Sequence, residues 1–243
     1  MLTELKLTHF RNISKAFIQP VAGINLFFGE NGSGKTSLLE AIHLLAMGRS
    51  FRTRNLKHIP QHDTELCQIF ARINQTTPVG FQFNMHTGLQ IRLNNAPLKK
   101  LSELASYLPL QYIPANCHEF FDSGPRFRRK VVDWGLFHVE QSFFYHWQSY
   151  KKALSQRNAA LRSGKNNDEI QVWDKWLISH GLALTSLRKD YLEKLKLQFE
   201  RWFNMLCKDF IHAKYHLRYL AGWPKDREYN DVLRQTLDRD KAL

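Results

Sequence analysis

Cysteine is scarce in this chain, and what there is does not cluster. Cys67, Cys117 and Cys207 are the only three, and no CxxC pair or Cys/His group has metal-ligand spacing, which excludes a cysteine-based metal site. His58 and His62 stand four residues apart, but Pro60 lies between them and breaks any helix that would bring the two rings together. No apolar run approaches the ~18 residues of a membrane span. The opening MLTELKLTHFRN mixes charge into its first turns and lacks the apolar core of a secretory leader, so a cytoplasmic location without a membrane partner is the expectation. Repeats and low-complexity tracts are absent too. Acid is the last shortage: 22 Asp and Glu oppose 35 Lys and Arg, for a net charge of +13 and a pI near 9.8. A balance that basic points to a polyanionic partner, nucleic acid before membrane; the plainer alternative is a soluble protein that happens to be basic.

The apolar fraction of 43% and aromatic fraction of 13% suffice for a packed core, and 243 residues hold one large domain or two small ones. The hydrophobic pattern changes along the chain and divides it into residues 1–125 and 126–243. In the first part Leu5 and Leu7 alternate with polar neighbours in an expected strand. The run Ile24-Asn25-Leu26-Phe27-Phe28 reads as a buried strand. Leu38, Leu39, Ile42, Leu45 and Ala46 then fall at helical spacing, with Gly48 as a C-terminal stop. Alternation over Cys67–Ile73, Val79–Met85 and Leu89–Leu93, punctuated by Thr87-Gly88 and Asn94-Asn95, predicts antiparallel strands joined by hairpins. The second part is helical. Leu184, Leu187, Tyr191, Leu195, Phe199, Trp202, Leu206 and Phe210 step by three or four, as in a long amphipathic helix. Val131–Leu161 predicts another, with Trp134, Phe137, Phe144, Trp147, Tyr150 and Leu154 as packing positions, and SGKNND (163–168) separates the two.

Between the expected strand and helix lies GENGSGKT. Gly29, Gly34, Lys35 and Thr36 fill every fixed position of G-x-x-x-x-G-K-[ST], in the strand–loop–helix setting that the motif requires. Gly29, Gly32 and Gly34 let the backbone curl so that its amides, with those of Glu30, Asn31 and Ser33, turn inward around phosphate. The helix beginning near Lys35 adds the positive end of its dipole. Lys35 is the candidate for the β- and γ-phosphates, and Thr36 for Mg²⁺. No guanine-reading N-K-x-D occurs, which excludes an ordinary GTPase, and a small-molecule kinase leaves the basic helical half unexplained.

The blocks around the loop are more specific than the loop. HFRNI (9–13), FGENGSGKTSLLEAIHLLAMGRSFR (28–52), GPRFRRKVVDWGLFHVE (124–140), FFYHWQSYKKAL (143–154) and QRNAALR (156–162) together resemble the RecF family of bacterial DNA repair and replication ATPases, over nearly the whole chain. The resemblance implies an α/β fold: a P-loop ABC-type ATPase head of SMC-like kind, with a mixed sheet around the loop helix, antiparallel strands and a helical subdomain. It implies ATP and Mg²⁺ as cofactors, a homodimer that forms with ATP, and binding to DNA that is single-stranded, gapped or at a junction. It also implies cooperation with RecO and RecR in loading RecA at gaps during replication, repair and the SOS response.

Carried over residue by residue, the resemblance puts Arg11 and Asn12 on a turn that lines the nucleotide, unless they form an ordinary surface turn. It places Gln111 where such heads carry a glutamine near Mg²⁺. This sequence departs from the family just beyond, with Pro114-Ala115-Asn116 where a Pro-Glu is usual. Arg49 and Arg52 are candidates for phosphate, of nucleotide or of DNA. Arg126, Arg128, Arg129, Lys130, Lys151 and Lys152 lead a basic block that either contacts DNA phosphates or forms a solvated helical face. Two parts of an ABC site are missing from these 243 residues: an apolar run ending in Asp-Glu, and a Leu-Ser-x-Gly-Gln signature. Val131-Val132-Asp133 is too short a run and Trp134 follows it; Ser123-Gly124 and Ser163-Gly164 lack the signature setting. Family members carry both motifs further on, so the chain is expected to be a C-terminally incomplete head that binds ATP without hydrolysing it alone. The alternative is a non-catalytic basic DNA-binding module in which nucleotide is structural.

Overall fold

The computed structural model describes every residue except 116–123, 209–215, 225 and 243. Asn116, Ser123 and Phe210 lie outside the described residues. The chain forms two compact units, residues 1–115 and 116–243.

Unit 1 is an antiparallel sheet packed on one helix. β1 (Leu2–Phe10), β2 (Ile13–Ile18), β3 (Leu66–Ile73), β4 (Thr77–Asn84), β5 (Gly88–Leu93) and β6 (Ala96–Pro97) lie in the order β2-β1-β3-β4-β5-β6. Alternation drives the register. Leu5 and Leu7 pair with Ala71 and Ile69, and Ile69 and Ala71 with Phe81 and Val79, so one face is apolar throughout. The turns follow side-chain chemistry. Asn94 and Asn95 both adopt positive φ between β5 and β6, and Gly88 does so as the first residue of β5. Asn74 and Gln75 take the same conformation between β3 and β4. Helix α1 (Lys35–Met47) lays Leu38, Ala41, Leu44 and Leu45 on the apolar face and ends at Gly48, at φ 65°. A second helix, α2 (Leu101–Tyr107), adds Leu104 to the core.

Two elements of unit 1 depart from the sequence pattern. β2 pairs with β1 and packs Ile13, Ala16 and Ile18 against the core, but Phe17 faces out between Ala16 and Ile18 and breaks the apolar alternation, so its signal is weak. The expected strand Ile24–Phe28 does not form: no described strand pairs with it, and Ile24, Leu26 and Phe28 are 94%, 81% and 88% exposed. An apolar run becomes a buried strand only when ladder partners flank it, and the described sheet provides none.

Unit 2 contains α3 (Pro125–Val139), α4 (Gln141–Arg162), α5 (Asn167–Leu206) and α6 (Tyr229–Lys241). The helix expected over Val131–Leu161 is two helices. Glu140 adopts an extended conformation, and its carboxylate accepts from the Ser142 amide at 3.2 Å and the Ser142 hydroxyl at 2.8 Å. A side-chain acceptor there starts a new helix. Leu136, Phe143 and Leu184 form one core with Phe137, Trp147 and Tyr150 around it, and Ala153, Leu177 and Leu233 form another. Asp133 lies on α3 as the bidentate partner of Arg188, at 2.7 and 2.9 Å, and not at a strand end.

Candidate phosphate-binding site

The loop between β2 and α1 takes the conformation its glycines permit. Gly32 and Gly34 sit at φ 86° and 97°, which residues with a Cβ rarely adopt. A Cβ on Gly34 would also lie 3.2 Å from Ile13 Cγ1, whereas one on Gly32 would meet nothing. The Lys35 ammonium folds into the loop and donates to the carbonyls of Gly29 and Glu30, both at 2.7 Å. The chain thus places a compact cation inside a curl of backbone at a helix N-terminus, an arrangement suited to an oligophosphate.

An open cleft of about 1380 Å³ adjoins the loop. It is lined by the loop residues Asn31 to Thr36, by Arg11, Asn12 and Arg52, and by the segment 60–65. Asn12 ties the loop to α1: its amide donates to the Gly32 carbonyl at 2.6 Å and its oxygen accepts from the Ser37 hydroxyl at 2.8 Å. Arg11, in the β1–β2 turn, has φ 56°. This is an uncommon conformation for a residue with a long side chain, and it is held by the Arg11 amide on the Ile59 carbonyl at 2.9 Å.

Arg11 turns its guanidinium onto Glu40. Its Nε and Nη2 donate to the two carboxylate oxygens at 3.0 and 2.7 Å, and its Nη1 donates to the His58 carbonyl. Arg52 Nη1 donates to the same carboxylate at 3.3 Å, and the Ser50 hydroxyl completes the set. Burial pushes the Glu40 carboxyl up, but the hydrogen bonds from Arg11 and Ser50 and the charges of Arg11 and Arg52 outweigh it and hold the group below the usual range. A fully buried carboxylate therefore fixes two arginines along the cleft. Sequence reasoning missed Glu40, although its signal was readable: it shares a helix face with Ser37, Ala41 and Leu44, where a charge needs partners.

The structure brings Arg11, Asn12, Arg52 and the loop together and leaves Gln111 out of the cleft. Gln111 is exposed in the coil after α2. The adjacent Tyr112 stacks on Phe51 at 4.3 Å between ring centroids. Arg49 is exposed just after α1. In unit 2, Arg126, Arg128, Arg129 and Lys130 are exposed along the start of α3, and Lys151 and Lys152 on α4. Further along α4, Arg157 is buried between Asp174 at 2.6 Å and Asp240 at 3.0 Å.

Residues 4–201 match the sequence profile of the AAA domain. The DNA replication and repair protein RecF of Pseudoalteromonas translucida (strain TAC 125) is 38% identical over 245 residues, covering 98% of this chain and 66% of that protein. RecF of Pseudomonas entomophila (strain L48) is 36% identical over 248 residues, covering 100% and 66%. RecF of Nitrosococcus oceani is 37% identical, covering 99% and 67%. The chain thus spans about two thirds of the length of these relatives. Among solved structures, the recombination mediator protein RecF with ATP in the RecFOR pathway superposes with a TM-score of 0.81 at 27% identity, covering 99% of this chain and 69% of that one. The fold is accordingly that of a P-loop ABC-type head, and the chain belongs to the RecF family of DNA replication and repair proteins.

Proposed function

We propose that the cleft binds ATP with Mg²⁺, and that the protein acts in DNA repair and replication. The observation that carries this reading is the Lys35 ammonium, held inside a curl of glycine backbone at the start of α1. The residues fit the ligand. Gly32 leaves its approach open, the amides from Gly29 to Thr36 can turn toward phosphate, and Arg11 and Arg52 line the same cleft. Lys35 would pair with the β- and γ-phosphates, and the Thr36 hydroxyl would ligate the metal, which neutralises phosphate charge when bound. Asn12 keeps loop and helix in register. The solved relative with ATP supports the choice of nucleotide.

In this proposal ATP brings two copies together on single-stranded, gapped or junction DNA. The exposed cations of α3 and α4 contact phosphates, and RecO and RecR are the partners in loading RecA, within the SOS response. A fluorescent ATP analogue titrated into the protein with Mg²⁺ tests the nucleotide step. Lys35→Ala should weaken binding about tenfold or more, the worth of one charge-assisted contact, and Thr36→Ala should remove the gain from Mg²⁺. Equal affinity in all three proteins would sink the reading.

A further inference from the structure

The outer face of the sheet, opposite the core, carries a built arrangement that the nucleotide cleft does not use. Strand register aligns one row across five strands: Phe17 beside Lys6, Lys6 beside Phe70, Phe70 beside Gly80 and Gly80 beside Arg92. The next row is polar: Lys15, Thr8, Gln68, Gln82 and Gln90. All of these except Phe17 and Lys15, which lie beyond its edge on β2, border a hollow of about 510 Å³. A face that merely meets water needs polar residues; it does not need Phe17 at 56% exposure or a glycine in the middle of a central strand. Gly80 weakens its strand and marks a place where something approaches the backbone closely. A Cβ there would meet nothing within 4 Å.

We propose that this face binds single-stranded nucleic acid, with one base seated over Gly80 between the Phe70 ring and the Arg92 guanidinium. Phe70 and Arg92 stand two strand spacings apart, about 10 Å, which leaves room for one flat ring between two flat groups. Aromatic faces and guanidinium planes are the usual platforms for unstacked bases. The amide row offers both donors and acceptors to a base edge, so it accepts any base. Gln68 donates to Gln82 at 2.9 Å, and Gln90 follows in register. The charge is complementary to a phosphate backbone: Lys6, Lys15, Arg72 and Arg92 oppose one carboxylate on this face, Glu4. Glu4 engages Lys6 at 2.8 Å and Arg72 at 3.6 Å, and Lys15 and Arg92 have no ion-pair partner among the described residues. Lys6 also lies over the Phe17 and Phe70 rings, 5.1 and 5.6 Å from their centroids, keeping a cation beside both aromatics. Paired bases cannot enter such a hollow, so duplex DNA is not its occupant.

The proposal is independent of ATP. The whole chain, without nucleotide, is titrated against a short labelled oligothymidylate, with folding checked by thermal unfolding. Phe70→Leu removes the stacking ring and Gly80→Val plugs the hollow with a residue that strands favour. Each should weaken binding about tenfold, the scale of one lost stacking contact. Lys15→Gln should reduce the slope of log affinity against log salt by about 0.7, one phosphate contact on a single strand. An oligonucleotide carrying 5-iodouracil should crosslink to the peptide containing Phe70 in the unaltered protein, and Lys35→Ala should change none of this. Crosslinks confined to unit 2, wild-type affinity in both Phe70→Leu and Gly80→Val, or equal loss of duplex and single-strand binding would each overturn the proposal.

Discussion

Glu40 holds its carboxylate wholly buried on α1, engaged by Arg11, Ser50 and Arg52. Breaking a buried ion pair on one side leaves charge without compensation, at a cost of about 3–5 kcal/mol. Glu40→Gln keeps the shape and leaves both guanidinium groups facing a neutral amide. It should lower unfolding free energy by about 3 kcal/mol in urea denaturation, and weaken nucleotide binding because Arg11 and Arg52 are no longer fixed along the cleft. The pH dependence has a definite sign. Glu40 titrates below its ordinary range in the folded chain, so its stabilisation is fully present above the unfolded carboxyl pKa of about 4.3 and is lost as pH falls through the lowered folded value. Glu40→Gln should therefore show a shallower loss of stability on acidification than the parent, measured by urea midpoints across that window. Site legibility at this scale was uneven for a physical reason. Gly29–Thr36 is contiguous, so its chemistry can be read from spacing. The Arg11–Glu40–Arg52 cluster joins three distant segments, and only folding shows that the cations expected to meet phosphate also share a buried carboxylate.

Helix packing in unit 2 turns on one close approach. A Cβ built on Gly135 of α3 would lie 2.0 Å from the Tyr191 hydroxyl and 2.5 Å from its Cζ. Two effects oppose each other in Gly135→Ala. Helix propensity favours alanine by about 1 kcal/mol, while forcing a methyl into a filled contact costs about 1–3 kcal/mol. The contacted atoms belong to a rigid ring set among Leu136, Phe137 and Leu187, so the clash should prevail and the variant should lose about 1 kcal/mol. Tyr191→Leu in the same chain should recover part of the loss, giving a non-zero coupling in a double-mutant cycle. Elements with strong periodicity were legible from sequence. β3, β4, β5, α1 and the first half of α5 lie where alternation or helical spacing puts them, because each packs one regular face, whereas the expected packing positions Phe199, Trp202 and Leu206 near the end of α5 are exposed. The failures are elements whose fate depends on neighbours. Ile24–Phe28 has the composition of a strand without ladder partners, β2 has a partner but little apolar pattern, and the break at Glu140 depends on a single capping carboxylate.

At the scale of the whole molecule, holding phosphate and cleaving it require different parts. Phosphoryl transfer to water needs a group that orients the attacking water and charge stabilisation of the transferring phosphoryl. Within these 243 residues no apolar run ends in Asp-Glu and no Leu-Ser-x-Gly-Gln occurs. Asp133, the nearest sequence candidate, is bound bidentately by Arg188 on a helix of unit 2. Glu40, the carboxylate on the loop helix itself, is buried and saturated by its own hydrogen bonds, so it cannot serve as a water-polarising base. A chain with the cradle and without these groups should bind ATP and release it unchanged. In a phosphate-release assay with Mg²⁺, with and without DNA, the 243-residue protein should show no turnover above the rate of Lys35→Ala, although the two differ about tenfold in nucleotide affinity. Turnover that Lys35→Ala abolishes would mean that these residues contain a water-activating group, for which His62, Asp63, Glu65 and His86, which line the same cleft, are the titratable candidates.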